Sequence, residues 1–380
     1  MRVLVNMLST TNYSGRHVMM GHLRNIVPWT QGEHEFVILY HERNRHICCD
    51  LGDSVQWIQC PASTTGWFGR MLWESRNLNK LVQQYRIDFI WTPAGSITPA
   101  LAVPQISYAM NPWALVPDLN LKSLNAVKAI AQRYGYKKAV NKSAMMLYLS
   151  EFMRQAYRKN AGCTENASEV VYTGLDDELF ERAEAMRSVE KNRWQILSVS
   201  AMAPHKGVET LLSAVAKLLH EHKLPVELLL VGAWPDTQYE SDMRNLAEQL
   251  GLTDAVSFKG HASVSELHRY YAEARVFCLM SWCESFGIPA VEAQAFGTPV
   301  VSSNCCAIPE VCGRGGIFPD PGDAEATAEA LAQLLTDEEH WQTMSQAARV
   351  NAGRFHWEQC SRPLLKMFDV IAGAVDTDVN

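Results

Sequence analysis

The sequence lacks the short motifs that mark the most common nucleotide-binding chemistries. No stretch fits the P-loop pattern G-x-x-x-x-G-K-[ST], no G-x-G-x-x-G follows an apolar run, and G-x-S-x-G is also missing. The first two patterns hold nucleoside triphosphates and dinucleotides, and the third presents a serine nucleophile. These absences argue against a P-loop ATPase and against a nicotinamide dehydrogenase.

Long apolar runs and metal-binding cysteine pairs are absent as well. No run approaches the ~18 apolar residues of a membrane-spanning helix. The start, "MRVLVNMLSTTNYSG", is too short an apolar run for a secretory signal. The ten cysteines include the adjacent pairs Cys48-Cys49 and Cys305-Cys306 but no C-x-x-C suited to zinc. We expect a cytoplasmic protein with reduced cysteines and no metal site.

Charge is distributed unevenly along the 380 residues. The net charge is −7, yet residues 1–175 hold 18 Lys and Arg against 11 Asp and Glu. Nine basic residues lie between Lys122 and Lys159 and face one acid, Glu151. Such a cluster either attracts anionic lipid or phosphate-bearing molecules or is simply a solvated helix face. It lacks the interleaved aromatic residues of single-strand binders, so nucleic acid is not a predicted partner.

Apolar runs alternate with helix-like segments throughout the chain. Runs such as "EFVILY", "MMLYLS" and "VELLLVG" are apolar almost throughout, which is typical of strands buried on both faces. Strand–helix alternation predicts a parallel sheet with helices on both faces, and the scheme occurs twice. We therefore predict an α/β protein with two doubly wound, Rossmann-like domains, residues 1–174 and 175–357, with a helix at 358–380 packing back on the first.

The stretch "MSWCESFGIPAVEAQAFG", residues 280–297, marks a candidate ligand site. A buried strand precedes it, Pro289 suits the first position of a helix, and Gly297 suits the end of that helix. Residues 285–288 are then the loop between the carboxyl end of a strand and a helix N-terminus. Ligands bind at this place in open α/β sheets.

Two glutamates flank that loop. Backbone N–H groups and the helix dipole favour a diphosphate there, and Gly287 allows close approach. Glu284 would accept hydrogen bonds from sugar hydroxyls, and Glu292, one turn into the helix, would reach a ribose. Acids are also common in these positions for dipole and solvation reasons alone.

The segment "ESFGIPAVEAQAFGTPVVSSNCCAIPEVCGRGGIFPDPGD" resembles the E-x7-E region of the retaining family 4 glycosyltransferases. The similarity extends to "LSVSAMAPHKGVETLLSAV" and "FHWEQCSRPLL" and covers nearly all of residues 145–370. It implies the GT-B fold, in which two Rossmann-like domains face each other across a cleft. The donor would bind in the second domain and the acceptor in the first.

The resemblance implies roles for residues that match the family's motifs. Glu284 would bind the donor sugar and Glu292 the ribose, while Lys206 in "APHKG" would neutralise the diphosphate. A lysine at the start of a helix is disfavoured by the dipole, which favours a functional role over a plain surface position. The loop would contact phosphate or sugar through the backbone of Ser285, Phe286, Gly287 and Ile288.

One position departs from the family pattern. Relatives commonly read "GRLxPxKG", with Arg and Lys both on the diphosphate, whereas this chain has Ala201 in place of the Arg. A lost charge-assisted bond is worth roughly 1.5–3 kcal/mol, or about ten- to more than hundredfold in affinity. His205 or Arg16 are candidate substitutes for the missing charge.

The resemblance also gives candidates in the first domain. Gly15 and Arg16, in "NYSGRHVMMGHL", match a Gly-rich first loop that approaches donor phosphate and acceptor. "YAMNPWALVPD" stands where the family has a loop beside the reacting carbon, and it offers Tyr108, Asn111 and Trp113. A purely structural loop with a proline bend is an equal alternative there.

The remaining candidates concern the nucleobase and a metal. In "FKGHAS", Gly260 and His261 would border the nucleobase pocket. The single D-x-D, Asp376 to Asp378, lies near the end of the chain and is not expected to bind metal. GT-B relatives bind the diphosphate without one, so no cofactor is predicted.

Together these features predict a retaining glycosyltransferase that moves a hexosyl unit from a nucleotide-diphosphate sugar to an acceptor hydroxyl. Polysaccharide, glycolipid or other glycoconjugate synthesis would be its setting. A lipid-linked or phosphate-bearing acceptor and peripheral contact with the inner membrane face are consistent with the basic first half. The alternatives are a nucleotide-sugar epimerase on the same fold and a non-catalytic nucleotide-sugar-binding protein.

Overall fold

The computed structural model describes residues 1–116, 123–165 and 167–377. Within it the polypeptide divides into two compact units of similar size, each built around its own parallel sheet. The second unit is one continuous stretch, whereas the first contains both ends of the chain. The first unit comprises Met1–Gly174 and Trp357–Asn380, and the second comprises Leu175–His356.

The first unit contains a seven-stranded parallel sheet in the order β3-β2-β1-β4-β5-β6-β7. Each apolar run predicted as a strand in this half forms one. Strands β4 and β6 are buried along their whole length, because helices cover both faces of the sheet. The strands are β1 Arg2–Asn6, β2 Glu35–Tyr40, β3 Gln56–Gln59, β4 Phe89–Thr92, β5 Gln105–Ala109, β6 Met145–Tyr148 and β7 Ser168–Val170; the helices are α1 Tyr13–Trp29, α2 Cys48–Leu51, α3 Trp67–Tyr85, α4 Ser123–Lys142 and α5 Glu151–Ala161.

The second unit contains a six-stranded parallel sheet in the order β10-β9-β8-β11-β12-β13. The predicted α/β class with two doubly wound sheets is therefore confirmed. The strands are β8 Asn192–Val199, β9 Glu227–Val231, β10 Val256–Gly260, β11 Ala274–Leu279, β12 Val300–Ser302 and β13 Gly316–Ile317; the helices are α6 Asp177–Ala185, α7 Val208–His220, α8 Thr237–Gln249, α9 Val264–Glu273, α10 Ile288–Ala295, α11 Ile308–Cys312, α12 Ala324–Thr336 and α13 Glu338–Ala352.

Local sequence explains why these helices form and end where they do. In α7, Leu211, Leu212 and Val215 recur at helical spacing and are fully or almost fully buried in the core of the second unit. Helix α9 starts at a capping box in which Ser263 and Glu266 bind each other's backbone N–H groups. Short 3-10 helices complete the connections: Met7–Ser9, Glu42–Ile47, Gly52–Ser54, Ala62–Thr65, Trp113–Leu115, Pro204–Lys206, Gly313–Gly315, Gly353–Phe355 and Arg362–Leu365.

The C-terminal segment, with α14 Trp357–Ser361 and α15 Lys366–Thr377, packs on the first unit. The Trp357 indole occupies the space beside Gly21, where an added Cβ would lie only 2.1 Å from the ring. His22 Nδ1 lies 2.9 Å from the Ser361 hydroxyl. Phe368 stacks on His34 with ring centroids 3.8 Å apart. The first sheet is therefore covered on one side by residues from the far end of the sequence.

Candidate active site

The predicted donor loops lie at the middle of the second sheet. Strands β8 and β11 are neighbours, and the connections that leave them run to opposite sides of the sheet. The segments after their carboxyl ends, residues 200–207 and 280–287, therefore flank the point where the strand order reverses. Crevices at such a point are the usual ligand sites of open α/β sheets.

Backbone geometry shapes the second of these segments. Gly287 is the N-cap of α10 and has φ +94°, and an added Cβ would lie 2.5 Å from Ile308 Cδ1. Only glycine suits such a position without strain. The sequence predicts Pro289 as the first residue of the helix, whereas it is the second. Either position tolerates its missing N–H. Gly297 follows the helix with φ +71° and ends it as expected.

The N-terminus of α10 suits an anion. Its N-cap, Gly287, has no side chain with which to cap the first turn. The dipole of the helix adds partial positive charge at the same end. Phe286 is buried and its ring packs edge-on against Phe355 at 5.1 Å, so its side chain belongs to the core. Any ligand contact from Phe286 is thus limited to its backbone.

The structure brings together Lys206 and Glu284, the residues predicted to contact the diphosphate and the donor sugar. Lys206 Nζ donates to Glu284 Oε1 at 2.5 Å, and the two side chains are only 16% and 12% exposed. The residues are far apart in sequence and follow the two central strands, β8 and β11. A cation and a carboxylate are thereby held at the start of α10.

The two segments that carry this pair are joined by direct hydrogen bonds. His205 O accepts from Trp282 N at 2.8 Å and from Ser281 Oγ at 3.0 Å. Gly207 has φ +65°, and an added Cβ would lie 1.9 Å from Met280 O. A glycine is therefore required where the first segment passes the second. This close approach fixes the position of the lysine that precedes it.

His205 precedes Lys206, and the residue as a whole is exposed although protein atoms surround part of its ring. Its pKa is lowered, first by the protein around the ring and second by the charge of Lys206, while Glu284 opposes the shift. This direction favours the neutral imidazole, which offers a hydrogen bond. His205 stays a candidate substitute for the arginine that is missing at position 201. Ala201 itself is exposed.

Several cysteines lie close to Glu284. Cys306 Sγ lies 3.7 Å from Trp282 O, and the neighbouring Ala307 N–H donates to Glu284 O at 3.3 Å. The pKa of Cys306 is raised to about 11, mainly because its thiol interacts with that of Cys283. Burial raises the pKa of Cys312 to about 12. These two thiols remain protonated and neutral next to the carboxylate.

Glu292 lies in the second turn of α10 and is oriented by a residue that the sequence did not suggest. The Tyr271 hydroxyl donates to Glu292 Oε2 at 2.7 Å. The Tyr271 ring is fully buried, and its carbonyl accepts from Thr298 Oγ1 at 2.7 Å. Tyr271 belongs to α9, so its contact with α10 depends on helix packing and leaves no local signal in sequence.

The candidates after β10 lie at the same end of the sheet. Gly260 has φ +63°, and its carbonyl accepts from Gly232 N at 2.6 Å. An added Cβ at Gly260 would have no heavy atom within 4 Å, so its outer side is open. His261 is exposed. The backbone here is therefore accessible to a ligand.

In the first unit, the predicted residues occupy different environments. Gly15 N donates to Asn12 Oδ1 at 3.0 Å in the first turn of α1. The Arg16 guanidinium contacts the His46 ring and lies 5.3 Å from the centroid of the Tyr13 ring. These contacts place Gly15 and Arg16 at the head of a helix, as the sequence indicated.

The loop after β5 needs a correction. Tyr108 is fully buried, and its hydroxyl donates to Val171 O at 2.5 Å, so it is a core residue. It is the fourth residue of β5, a strand whose last four residues are all buried. Asn111 is exposed, and its side chain accepts from Trp113 N at 3.2 Å, which stabilises the turn. Asn111 and Trp113 remain candidates in that loop.

Neither a metal cluster nor a membrane-spanning helix is found in the described structure. No group of three or more His, Cys, Asp and Glu side chains there could hold a metal ion. The D-x-D motif ends at Asp378, which lies outside the described residues, as does Lys122 of the basic cluster. Among the described helices, none has the length and apolar content needed to cross a bilayer.

Sequence comparisons place both units in known families. The family described as Glycosyl transferases group 1 matches residues 181–351, and Glycosyltransferase Family 4 matches residues 22–179. A D-inositol 3-phosphate glycosyltransferase of Corynebacterium urealyticum is 35% identical over 170 residues, 43% of this chain and 40% of that protein. The O-antigen chain mannosyltransferase B of Escherichia coli is 30% identical over 182 residues, 47% of each chain. This chain thus spans about half the length of the curated relatives it matches.

Solved structures resemble the whole chain. Sucrose-phosphate synthase from Thermosynechococcus elongatus has a TM-score of 0.78 at 18% identity and covers 98% of this chain and 99% of its own. Anabaena HepE, solved in complex with UDP and glucose, has a TM-score of 0.71 at 18% identity, with 97% and 99% coverage. The two family matches together account for most of the chain, and the folds agree over nearly all of it. Residues 181–351 thus match the glycosyl transferases group 1 family, residues 22–179 match Glycosyltransferase Family 4, and the chain has the GT-B fold.

Proposed function

We propose that this chain is a retaining glycosyltransferase that moves a hexosyl unit from a nucleotide-diphosphate sugar to an acceptor hydroxyl, in polysaccharide or glycoconjugate synthesis. The observation that carries the proposal is the Lys206–Glu284 pair at the N-terminus of α10. The ammonium group and the helix N-terminus suit a diphosphate, and the adjacent carboxylate suits sugar hydroxyls. The family matches and the activities named for the relatives support the same function.

In the proposed reaction the bond between the anomeric carbon and the diphosphate oxygen breaks, and a bond from that carbon to the acceptor oxygen forms. The acceptor's proton goes to the leaving phosphate. Lys206 and the N-terminus of α10 hold the charge that develops on the diphosphate, an arrangement in place before the reaction begins. Retention follows from the family resemblance, and we assign the attack to the face from which the diphosphate leaves. A trapped sugar–protein adduct would replace that assignment.

The other donor contacts follow the same arrangement. Glu292, held by the Tyr271 hydroxyl, would accept from the ribose. Gly260 and His261 would border the base, and His205 would donate to a phosphate oxygen. Lys206 and the helix N-terminus supply the positive charge, so we expect transfer to continue in the presence of a chelator.

Calorimetry with UDP, GDP and ADP sugars tests donor binding, and a transfer assay with the donor that binds tests turnover. UDP and UDP-glucose begin the panel because HepE, a structural relative, was solved with them. Lys206→Met should weaken binding of the nucleotide sugar by at least ~10-fold, since a charge-assisted bond is lost. Lys217→Met is the matched control, because Lys217 pairs with Glu221 and Glu325 on the surface of α7. Equal affinities in both variants and wild type would refute the assigned site.

Ala201 motivates the second candidate, a nucleotide-sugar-binding protein without catalysis. Residue 201 is alanine where the family pattern has arginine, so the diphosphate would have one fewer cationic contact than in that pattern. Ala201→Arg should tighten donor binding, by about ten- to a hundredfold if the new bond forms fully. Donor binding without transfer or hydrolysis would favour the binding protein. Conversion of the donor without an acceptor would instead favour an epimerase.

The acceptor is proposed to be lipid-linked or phosphate-bearing, with peripheral contact at the inner membrane face. Basic residues outnumber acidic ones in the first half of the sequence, and the relative from Corynebacterium urealyticum is named a D-inositol 3-phosphate glycosyltransferase. Gly15, Arg16 and Asn111 are the acceptor-side candidates of the first unit. An acceptor screen with inositol phosphates and with lipid-linked sugars tests this assignment. Transfer only to neutral soluble sugars would contradict it.

A further inference from the structure

Exposed apolar side chains are concentrated on two helices of the first unit. Among the large hydrophobic residues described as exposed, seven of eleven belong to α3 and α4. On α4 the exposed fractions are 68% for Val127, 66% for Ile130 and 62% for Tyr134. The spacing of these three residues puts them on one side of the helix. On α3 the exposed apolar residues are Trp67, Phe68, Met71 and Leu72.

The exposed side of α4 is additional to the side that the core uses. Ala129, Tyr136, Ala139 and Val140 are buried against the cluster that includes α5. The helix is therefore apolar on two sides, and the described residues of the protein cover only one of them. A helix of a soluble protein ordinarily presents polar residues to water. The stripe Val127, Ile130 and Tyr134, which we call the outer stripe, needs another explanation.

Charge on α4 has a single sign. Ser123–Lys142 contains five Lys and Arg and no Asp or Glu. Lys138 lies over the Tyr134 ring at 4.7 Å, so a basic group borders the outer stripe, and Lys128 lies over the ring of Trp113, before the helix, at 5.5 Å. On the neighbouring helix α5, by contrast, Arg154 pairs with Glu151 and Arg158 pairs with Glu165. The basic groups of α4 have no such acids on their own helix.

The topology puts the apolar residues of α3 and α4 on the same side of the sheet. Helix α3 connects β3 to β4 and α4 connects β5 to β6, and both connections cross the sheet in the same direction. Right-handed connections that run in one direction place their helices on one face. Both helices begin at the carboxyl edge of the strands, so the outer stripe and the α3 residues lie toward that same edge.

From these observations we infer that the exposed face of α4, together with the start of α3, docks on an anionic lipid surface. Apolar and aromatic groups bordered by Lys and Arg are the composition of helices that lie in a membrane interface. A second copy of the chain fits less well, because a two-fold contact would bring the basic residues of α4 against their own copies. The inference deepens and rests on the proposed function, since it assigns the surface on which a lipid-linked acceptor would be met.

Co-sedimentation with phosphatidylcholine vesicles, with and without phosphatidylglycerol, tests the inference. Wild type should bind the vesicles that contain phosphatidylglycerol. Ile130→Asp should lower the partition coefficient at least tenfold, because the new charge enters the stripe. Val350→Asp is the matched control, since Val350 is equally exposed, at 66%, on α13 of the second unit. Lys137→Glu should lower binding most at low salt, where the electrostatic attraction is least screened.

Several outcomes would overturn the inference. They are equal binding of Ile130→Asp and wild type, absence of binding to every vesicle, and a dimer in light scattering that Ile130→Asp converts to monomer. Binding to duplex DNA in place of vesicles would overturn it as well. Donor calorimetry on Ile130→Asp separates this test from the proposed function. If Ile130→Asp no longer binds vesicles but keeps its affinity for the donor, the result supports lipid docking. If wild type binds vesicles but no donor, the result refutes only the proposed enzyme function.

Discussion

Glu284→Gln is the substitution that best separates the two roles at the candidate active site. It keeps the shape of the side chain and removes its charge, so Lys206 loses its ionic partner. At 2.5 Å the attraction is about 6–7 kcal/mol for an effective dielectric constant of ~20, most of it offset by desolvation. Because both side chains retain some exposure, we expect a net loss of about 1–3 kcal/mol of folding free energy. That corresponds to a fall of roughly 2–10 °C in the melting temperature.

Glu284→Gln should change the affinities for a free nucleoside diphosphate and for the nucleotide sugar in opposite directions. Without Glu284 as a partner, the Lys206 ammonium is free for the diphosphate, so a free nucleoside diphosphate should bind as tightly or more tightly. The nucleotide sugar loses a charge-assisted hydrogen bond from a sugar hydroxyl, about 1.5–3 kcal/mol, or ~10–150-fold in affinity. The ratio of the two dissociation constants therefore changes even if the stability falls.

Calorimetry with the nucleotide and its sugar derivative, on wild type and variant, gives that ratio directly. Glu240→Gln is the matched control, because Glu240 forms a pair of 2.7 Å with Arg244 on the surface of α8. It should change neither affinity. Equal losses for the nucleotide and the nucleotide sugar in Glu284→Gln would refute the assignment of this carboxylate to the sugar.

The remaining expectations concern three other positions. Gly207→Ala would place a Cβ 1.9 Å from Met280 O at a positive φ, so chemical denaturation should show a loss of several kcal/mol; wild-type stability would disprove the close approach. Tyr271→Phe removes the hydrogen bond to Glu292, and titration should show nucleotide binding weakened about two- to tenfold, with a loss of about 1–2 kcal/mol of folding free energy. Burial lowers the pKa of His22 from 6.5 to about 3. Between these pH values the unfolded chain binds a proton that the folded chain does not, so the free energy of unfolding is greatest above pH 6.5 and falls as pH drops toward 3. The cost approaches ~1.4 kcal/mol per pH unit, and urea unfolding of His22→Gln should show a shallower acid dependence than wild type; parallel curves would contradict the shift.

Much of the fold could be predicted because its determinants are local. Strands buried on both faces give continuous apolar runs, and each such run in the sequence became a strand. The two-residue strand β13, Gly316–Ile317, is too short to leave a pattern. Helix α6, Asp177–Ala185, is not evident from sequence because it is rich in charged residues and only its Leu179 and Ala183 are buried. A helix that buries so few residues has little apolar periodicity to detect.

The candidate site was predictable only in part, for a related reason. The E-x7-E spacing and the glycines near it are local features, so Glu284, Glu292 and Gly287 could be singled out. The ion pair between Lys206 and Glu284 depends on the adjacency of β8 and β11, which sequence order does not reveal. The buried position of Tyr108 depends likewise on how the first sheet packs. Long-range neighbours of this kind require the topology of the sheet.

The continuous course of the second unit has a consequence for how this protein can be divided. Leu175 and His356, its first and last residues, form a bridge, and Leu175 N donates to Phe355 O at 2.7 Å. Gly174 and Trp357, the flanking residues of the first unit, are in van der Waals contact. A cut at this one junction interrupts no strand or helix of either sheet. The second unit could thus be exchanged between related chains at a single place, with each unit keeping its own core.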